Sequence, residues 1–198
     1  MWFKNLRKLF QPSISRGYNL HEYQSLLLLK SFGVPTPFNK VAFTANEASD
    51  IAQKIGDKQV VVKAQVLAGG RGQGKFEPNG FQGGVHIISP DEVQAVADSM
   101  IGQTLVTKQT GTVGKPCDKV LVMKKLLLVK EFYLAILLDR KFGGPVLVYS
   151  KRGGMDIEHV AAVEPAEIHK IPISLGSPIT AAITAQVASD LGFDQSPS

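Results

Sequence analysis

Cysteine is nearly missing from this chain: Cys117 is the single one in 198 residues. One thiol excludes a disulfide framework and suits a reducing compartment. It sits in a Gly/Lys/Pro loop without the pairing or motif of a reactive cysteine, so a passive thiol is expected. Long apolar runs are absent too. The longest centres on Leu26 to Leu29, far too short to span a membrane. His159 and His169 lack the spacing of a zinc motif, and no acidic cluster offers a metal site. Acid is absent before Glu22. The net charge of +5 could suit nucleic acid. However, the bases are spread along the chain and no aromatic-interleaved patch or nucleic-acid motif appears, which argues against an RNA-associated protein.

What is present in abundance is glycine, concentrated around one stretch, VVVKAQVLAGGRGQGKFEPNGFQGG, from Val60 to Gly84. Three valines predict a buried strand. Lys63 ends that run, where its ammonium can meet a phosphate as a point charge. Gly69, Gly70, Gly72 and Gly74 follow around Arg71 and Lys75. Backbone N–H groups in such a loop approach a phosphate without side chains in the way. Glycines alone equally suit a mobile hairpin loop with solvated bases. The loop is not a Walker A sequence, because Gly74-Lys75 is followed by Phe76. It is not a dinucleotide fingerprint either, because Gly70-Arg71-Gly72 does not run into a helix.

The first eighteen residues, MWFKNLRKLFQPSISRGY, are basic and acid-free, with apolar residues on one helical face. That is the pattern of a mitochondrial transit peptide, assigned to residues 1–18. A helix is expected from Asn19 to Gly33, capped by Asn19 with Glu22 and burying Leu26 to Leu29. His21 reads as a polar helix-start residue rather than a base. A strand at Val41 to Phe43 and a Thr44-capped helix to Lys54 precede the lysine strand. A strand at Gly84 to Ile88 and a Ser89-capped helix to Met100 follow it. Strands at Leu105 to Thr107 and Val120 to Met123 complete an α+β unit. Beyond a hinge candidate at 123–131 come a hairpin (Phe132 to Tyr149), a strand or turn at Asp156 to Val160, and an Ala-rich helix from Thr180 to Gly192. Residues 194–198 read as a disordered end.

Taken in order, LHEYQS, VVKAQVLAGGRG, KQT, YLAILLDR, GPVLV and the LGF-ending helix closely resemble succinate–CoA ligase β subunits, over Asn19 to about Phe193. The resemblance implies an α+β ATP-grasp fold of two subdomains: residues 38–123 form the first, and residues 19–37 with 124–193 part of the second. It implies ATP or GTP as nucleotide, Mg²⁺, an α-subunit partner that carries a phosphohistidine, and succinate and CoA as substrates of the whole enzyme in the mitochondrial matrix. Carried over by position, Lys63 is the nucleotide-phosphate lysine, Gly70, Arg71 and Gly72 the loop contacts, and Glu131 a ribose-side contact. Met123 stands at a hinge position that is Glu in bacterial members. Pro37 leans toward ATP. The family's Mg²⁺-binding Asn and Asp, the end of the second subdomain and the CoA-ligase domain lie beyond Ser198. No catalytic or metal-binding residue is therefore assigned here, and weak or no catalysis by this polypeptide alone is expected, with an exposed apolar patch. A non-catalytic short isoform that binds nucleotide or the α subunit, or a related citrate– or malate–CoA ligase, stays open.

Overall fold

The computed structural model describes residues 19–154 and 157–193. The leader at 1–18 and the tail at 194–198 lie outside the described residues. The chain divides into two compact units, one ending at Leu126 and the next beginning at Leu127, inside the 123–131 stretch.

The first unit runs through α1 (Glu22–Ser31), β1 (Asn39–Ala42), α2 (Ala45–Ile55), β2 (Val60–Ala64), β3 (Lys75–Glu77) and β4 (Val85–Ile88), then α3 (Val93–Met100), β5 (Gln103–Val106), β6 (Lys115–Cys117) and β7 (Val120–Lys124). Helix α2 starts where expected. Thr44 Oγ1 accepts the Glu47 N–H at 3.2 Å, satisfying a first-turn donor, and Glu47 Oε2 accepts the N–H of Phe43, just before the cap, at 2.8 Å. Its Ala48, Ile51 and Ala52 recur at helical spacing and are buried. Before α3, the Glu92 carboxylate accepts the Ser89 N–H at 2.9 Å and hydroxyl at 2.8 Å. Val93, Ala97 and Met100 of α3 then bury beside α2.

Both helices cover one face of a four-stranded antiparallel sheet ordered β1-β7-β2-β4. Strand β2 alternates: Val60, Val62 and Ala64 are buried in the core, and Val61 and Lys63 are half-buried on the other face. A second antiparallel sheet, β3-β5-β6, joins the same core through the cross-strand pair Phe76 and Leu105.

The second unit holds β8 (Tyr133–Asp139), β9 (Gly144–Ser150), α4 (Ile157–Val163), β10 (His169–Pro172) and α5 (Ala181–Leu191). Its antiparallel sheet is ordered β10-β9-β8. Leu147, Tyr149 and Leu191 form its buried cluster, flanked by Phe132, Ile171, Ile173, Ile183 and Val187. Helix α5 keeps its expected limits, with Thr180 as cap and Gly192 as stop.

Several elements differ from the sequence expectation. Helix α1 is capped at His21, where Gln24 Oε1 accepts the His21 N–H at 2.9 Å, so Glu22 is free for other work. Its leucines do not bury: Leu27, Leu28 and Leu29 are exposed and Leu26 is half-buried. Four consecutive leucines point around the whole helix, so no single face gathers them. The expected strand or turn at Asp156 to Val160 is the helix α4, which buries Val160; Asp156 itself lies outside the described residues. Strands β3, β6 and β10 were not expected. At three or four residues each, they lie inside Gly- and Pro-rich sequence and hold few β-branched residues, so neither alternation nor composition marks them.

Candidate functional site

The period of β2 decides where Lys63 goes. With its neighbours turned into the core, Lys63 stands on the opposite face, paired in register with Leu121 and Val85. There its Nζ donates to Glu22 Oε1 at 2.9 Å. Arg71 comes from the glycine loop and donates from Nη2 to Glu22 Oε2 at 2.8 Å. Its Nη1 donates to the Ala64 carbonyl at 2.6 Å. Two cations thus converge on the two oxygens of one carboxylate, whose side chain is 24% exposed.

Glu22 arrives there because the start of α1 is tied down. The Tyr23 N–H donates to Gln65 Oε1 at 3.1 Å, and Gln65 is buried just past β2. The Gln65 N–H in turn donates to the Lys119 carbonyl at 3.1 Å, fixing it to the turn before β7. Burial alone would raise the Glu22 carboxyl. Hydrogen bonds from Lys63 and Arg71, and their charges, outweigh it and hold the pKa below the usual carboxylate value. His21 goes the same way for another reason. Burial, then Lys119 and Arg71, lower its pKa against a smaller opposing effect of Asp118, which favours the neutral form of the imidazole stacked on Tyr23.

The glycines of the loop serve two purposes. A Cβ on Gly74 would come within 2.7 Å of Leu105 Cδ1 and 2.9 Å of the Val106 carbonyl, so this glycine is needed for packing between the sheets. Gly84 is likewise hemmed in: its N–H donates to the Arg71 carbonyl and its carbonyl accepts from the Ala64 N–H, both at 2.8 Å. It thereby locks Arg71 to the end of β2. Gly70 and Gly72 have open space where a side chain would lie. The backbone around them is accessible, as phosphate recognition requires. Gly69 donates its N–H to Gln109 Oε1 at 2.7 Å.

Beside the cations lies an open groove of about 640 Å³ lined by Glu22, Ser25, Val66, Ala68, Gly69 and Arg71, among others. Another groove of about 630 Å³ lies at Thr44, Asn46, Asp91, Gln94 and Asp98. It presents two carboxylates and no base, which suits a phosphate poorly. The groove at Glu22 and Arg71 is taken as the candidate site because Arg71 and the adjoining Lys63 converge on Glu22; Lys63, Gly70 and Gly72 border it rather than line it.

Glu131 belongs to the second unit. Its carbonyl accepts the Gly153 N–H at 3.2 Å. Gly153 and Gly154 press so close that a Cβ on either would collide with Glu131, backbone at the first and carboxylate at the second. Cys117 is buried, and burial raises its thiol pKa, so it is inert. Among the described residues no three His, Cys, Asp or Glu side chains gather into a metal-sized cluster, and no helix is long and apolar enough to cross a membrane.

The structure therefore groups Lys63, Gly70, Arg71 and Gly72 and adds three residues that sequence reasoning missed. Glu22 was assigned to a cap. Sequence chemistry gives Gln65 no role and makes Gly84 the close of the glycine loop and the start of a strand. The spacing Lys63-x-Gln65 carried a signal, because a polar residue in a buried strand must find partners.

Residues 19–197 match the family model described as the ATP-grasp domain. A Neurospora crassa protein named succinate–CoA ligase (ADP-forming) subunit beta, mitochondrial, is 46% identical over 189 residues, which is 93% of this chain and 42% of that protein. A Caenorhabditis elegans protein of the same name is 43% identical over 192 residues, covering 96% and 44%. A Neocallimastix frontalis relative with the hydrogenosomal form of that name is 41% identical, covering 96% and 44%. The chain thus spans less than half the length of these relatives. Among solved structures, a Ca. Korarchaeum cryptofilum dinucleotide-forming acetyl-coenzyme A synthetase aligns with TM-score 0.59 at 18% identity, over 89% of this chain and 67% of that one. An ATP citrate lyase from Methanothrix soehngenii aligns with TM-score 0.53 at 16% identity, over 87% and 42%. These structural likenesses bear on the fold alone.

Proposed function

Because the chain belongs to the ATP-grasp domain family, we propose that it is the nucleotide-binding part of a succinate–CoA ligase β subunit. Lys63, with Arg71 and the backbone of Gly70 and Gly72, holds the nucleotide phosphates; Glu131, in the second unit, is a ribose-side residue by resemblance to the family alone. The observation that carries this reading is the convergence of Lys63 and Arg71 on one acceptor beside an open glycine backbone. Cations that share one carboxylate are spaced to share one phosphate. ATP is the nucleotide, in keeping with relatives named ADP-forming and with Pro37. Residues 38–123 serve as the first subdomain and residues 124–193 as part of the second; residues 19–37, expected with the second, lie in the compact unit that ends at Leu126.

In the whole enzyme the reading extends to succinate, CoA and an α-subunit partner, and to the mitochondrial matrix, as the relatives' names suggest. Mg²⁺ would neutralise phosphate charge in such a reaction. The described residues do not fit a resident metal, because they bring no three metal-binding side chains together. No step of this proposal passes through one.

Calorimetry of the folded chain with ATP and GTP, comparing wild type with Lys63→Ala, tests the reading. Losing one charge-assisted contact should weaken ATP binding about tenfold or more. Equal ATP affinity in the variant would remove the phosphate site from this loop.

A further inference from the structure

We infer that Glu22 is a built-in stand-in for phosphate: nucleotide must displace its carboxylate from Lys63 and Arg71, so Glu22 sets the affinity of this site. The inference rests on reading those two cations as the phosphate site. Each cation reaches a different oxygen of the same carboxylate, at 2.9 and 2.8 Å. A phosphate oxygen pair would use the same donors, and two anions cannot occupy them together.

The surroundings allow the exchange. Arg71 has a second anchor on the Ala64 carbonyl and stays in place when the carboxylate leaves. Lys63 is different, since among the described residues Glu22 supplies its acceptor. Its flexible stem can follow whichever anion is present. Helix α1 is tethered separately, by the Tyr23 N–H on Gln65, so Glu22 can swing out without freeing the helix. No side chain of α1 is fully buried, so a small shift of its first turn disrupts little packing. The groove opens directly onto Glu22 and Arg71, which gives an incoming anion a path.

The competition has a sign that a purely structural role lacks. If Glu22 merely shaped the site, neutralising it would weaken anion binding. If it occupies the site, neutralising it removes a competitor. Binding of inorganic tripolyphosphate, without metal, should be measured by calorimetry for wild type, Glu22→Gln and Lys63→Ala, at low salt. Removing one unit charge a few ångströms away should tighten binding about fivefold in Glu22→Gln. The gain should shrink as salt screens it. Thermal melts followed by circular dichroism establish that each variant is folded. Should Glu22→Gln fail to fold, Glu22→Asp carries the same test, because its shorter carboxylate cannot reach both cations and should gain about twofold.

Tighter binding in Glu22→Gln with loss in Lys63→Ala supports the inference. Equal or weaker binding in folded Glu22→Gln, with loss in Lys63→Ala, overturns it while leaving the phosphate site standing. Indistinguishable behaviour of wild type and Lys63→Ala, including no binding by any variant, sinks the phosphate site and this inference with it.

Discussion

The first unit closes its core between two helices and two small sheets, whereas the second leaves one strand largely bare. In the first, the described core runs from Ala42 to Val122 and draws on α2, α3 and both sheets. In the second, Leu147, Tyr149 and Leu191 make up the buried cluster, and β8 stays outside it. The difference lies in what each strand finds on its two faces. Strand β2 has helices on one side and the Glu22 ion pairs on the other. Strand β8 shows Leu134, Ile136 and Leu138 to solvent at 60%, 59% and 84% exposure. Strand β8 thus carries an exposed apolar stripe. A unit with a full core can hold a polar site steady; a unit with a thin one relies on a few strong contacts.

The largest effect should come from removing the central aromatic of the first unit. Phe76 is fully buried and pairs in register with Leu105. Phe76→Ala should cost about 3–5 kcal/mol, read from urea melts. Leu138→Ala, the same kind of truncation on β8, should change stability by less than about 0.5 kcal/mol. Similar losses at both positions would break the contrast.

Next in size is a single contact of the second unit. Tyr149 is buried and donates its hydroxyl to Asp190 Oδ2 at 2.6 Å, joining β9 to α5. Burial, then the hydrogen bond and charge of Asp190, raise its pKa to about 12 from an ordinary 10. A pKa raised by folding means stability that is full below the unfolded value and lost as pH climbs through the folded one. The second unit should therefore weaken between about pH 10 and 12. Tyr149→Phe should remove this alkaline transition and cost about 1–2 kcal/mol at neutral pH. An alkaline melt unchanged in Tyr149→Phe would show that the contact does not hold α5.

The first unit carries the opposite pH response, and a smaller one. The Glu22 pKa is lowered by folding, so its contribution is present above the unfolded carboxylate value and lost as pH falls through the folded one. Acid titration from about pH 4.5 downward should loosen the start of α1, seen as faster amide exchange at Tyr23. Glu22→Gln should abolish that step while leaving the tether to Gln65. Persistence of the step in the variant would assign it to another carboxylate.

These contrasts also explain how much the sequence revealed. The lysine strand and the capped helix α2 were legible, because local chemistry decided them: β-branched alternation in one, Thr44 and Glu47 in the other. The hairpin β8–β9 and helix α5 were legible for the same reason. Helix α1 was placed correctly but turned wrongly, since its leucines carry no facial preference. The role of Glu22 was invisible, because its partners lie forty-one and forty-nine positions along the chain. Long-range pairing of this kind leaves no local pattern. The glycines show the same limit. All looked alike in sequence, yet Gly74 and Gly84 serve packing while Gly70 and Gly72 stay open.

The smallest expected effect on stability concerns β8 itself, and it sharpens the comparison most. In the order β10-β9-β8 this strand is at the sheet edge. An edge strand offers unpaired backbone groups to any neighbour, and here the exposed leucines and isoleucine add apolar attraction. Ile136 faces the same side as Leu147, its cross-strand partner, yet lies beyond the cover that α5 provides. A lysine there would sit in solvent and cost little, within about 0.5 kcal/mol. It would also place a charge where a second strand would need to approach. Ile136→Lys should therefore leave the melting curve nearly unchanged while lowering self-association at high concentration, measured by sedimentation or light scattering. Equal association in both proteins would mean that the bare strand is not the sticky surface. The difference between the units would then be one of core size alone.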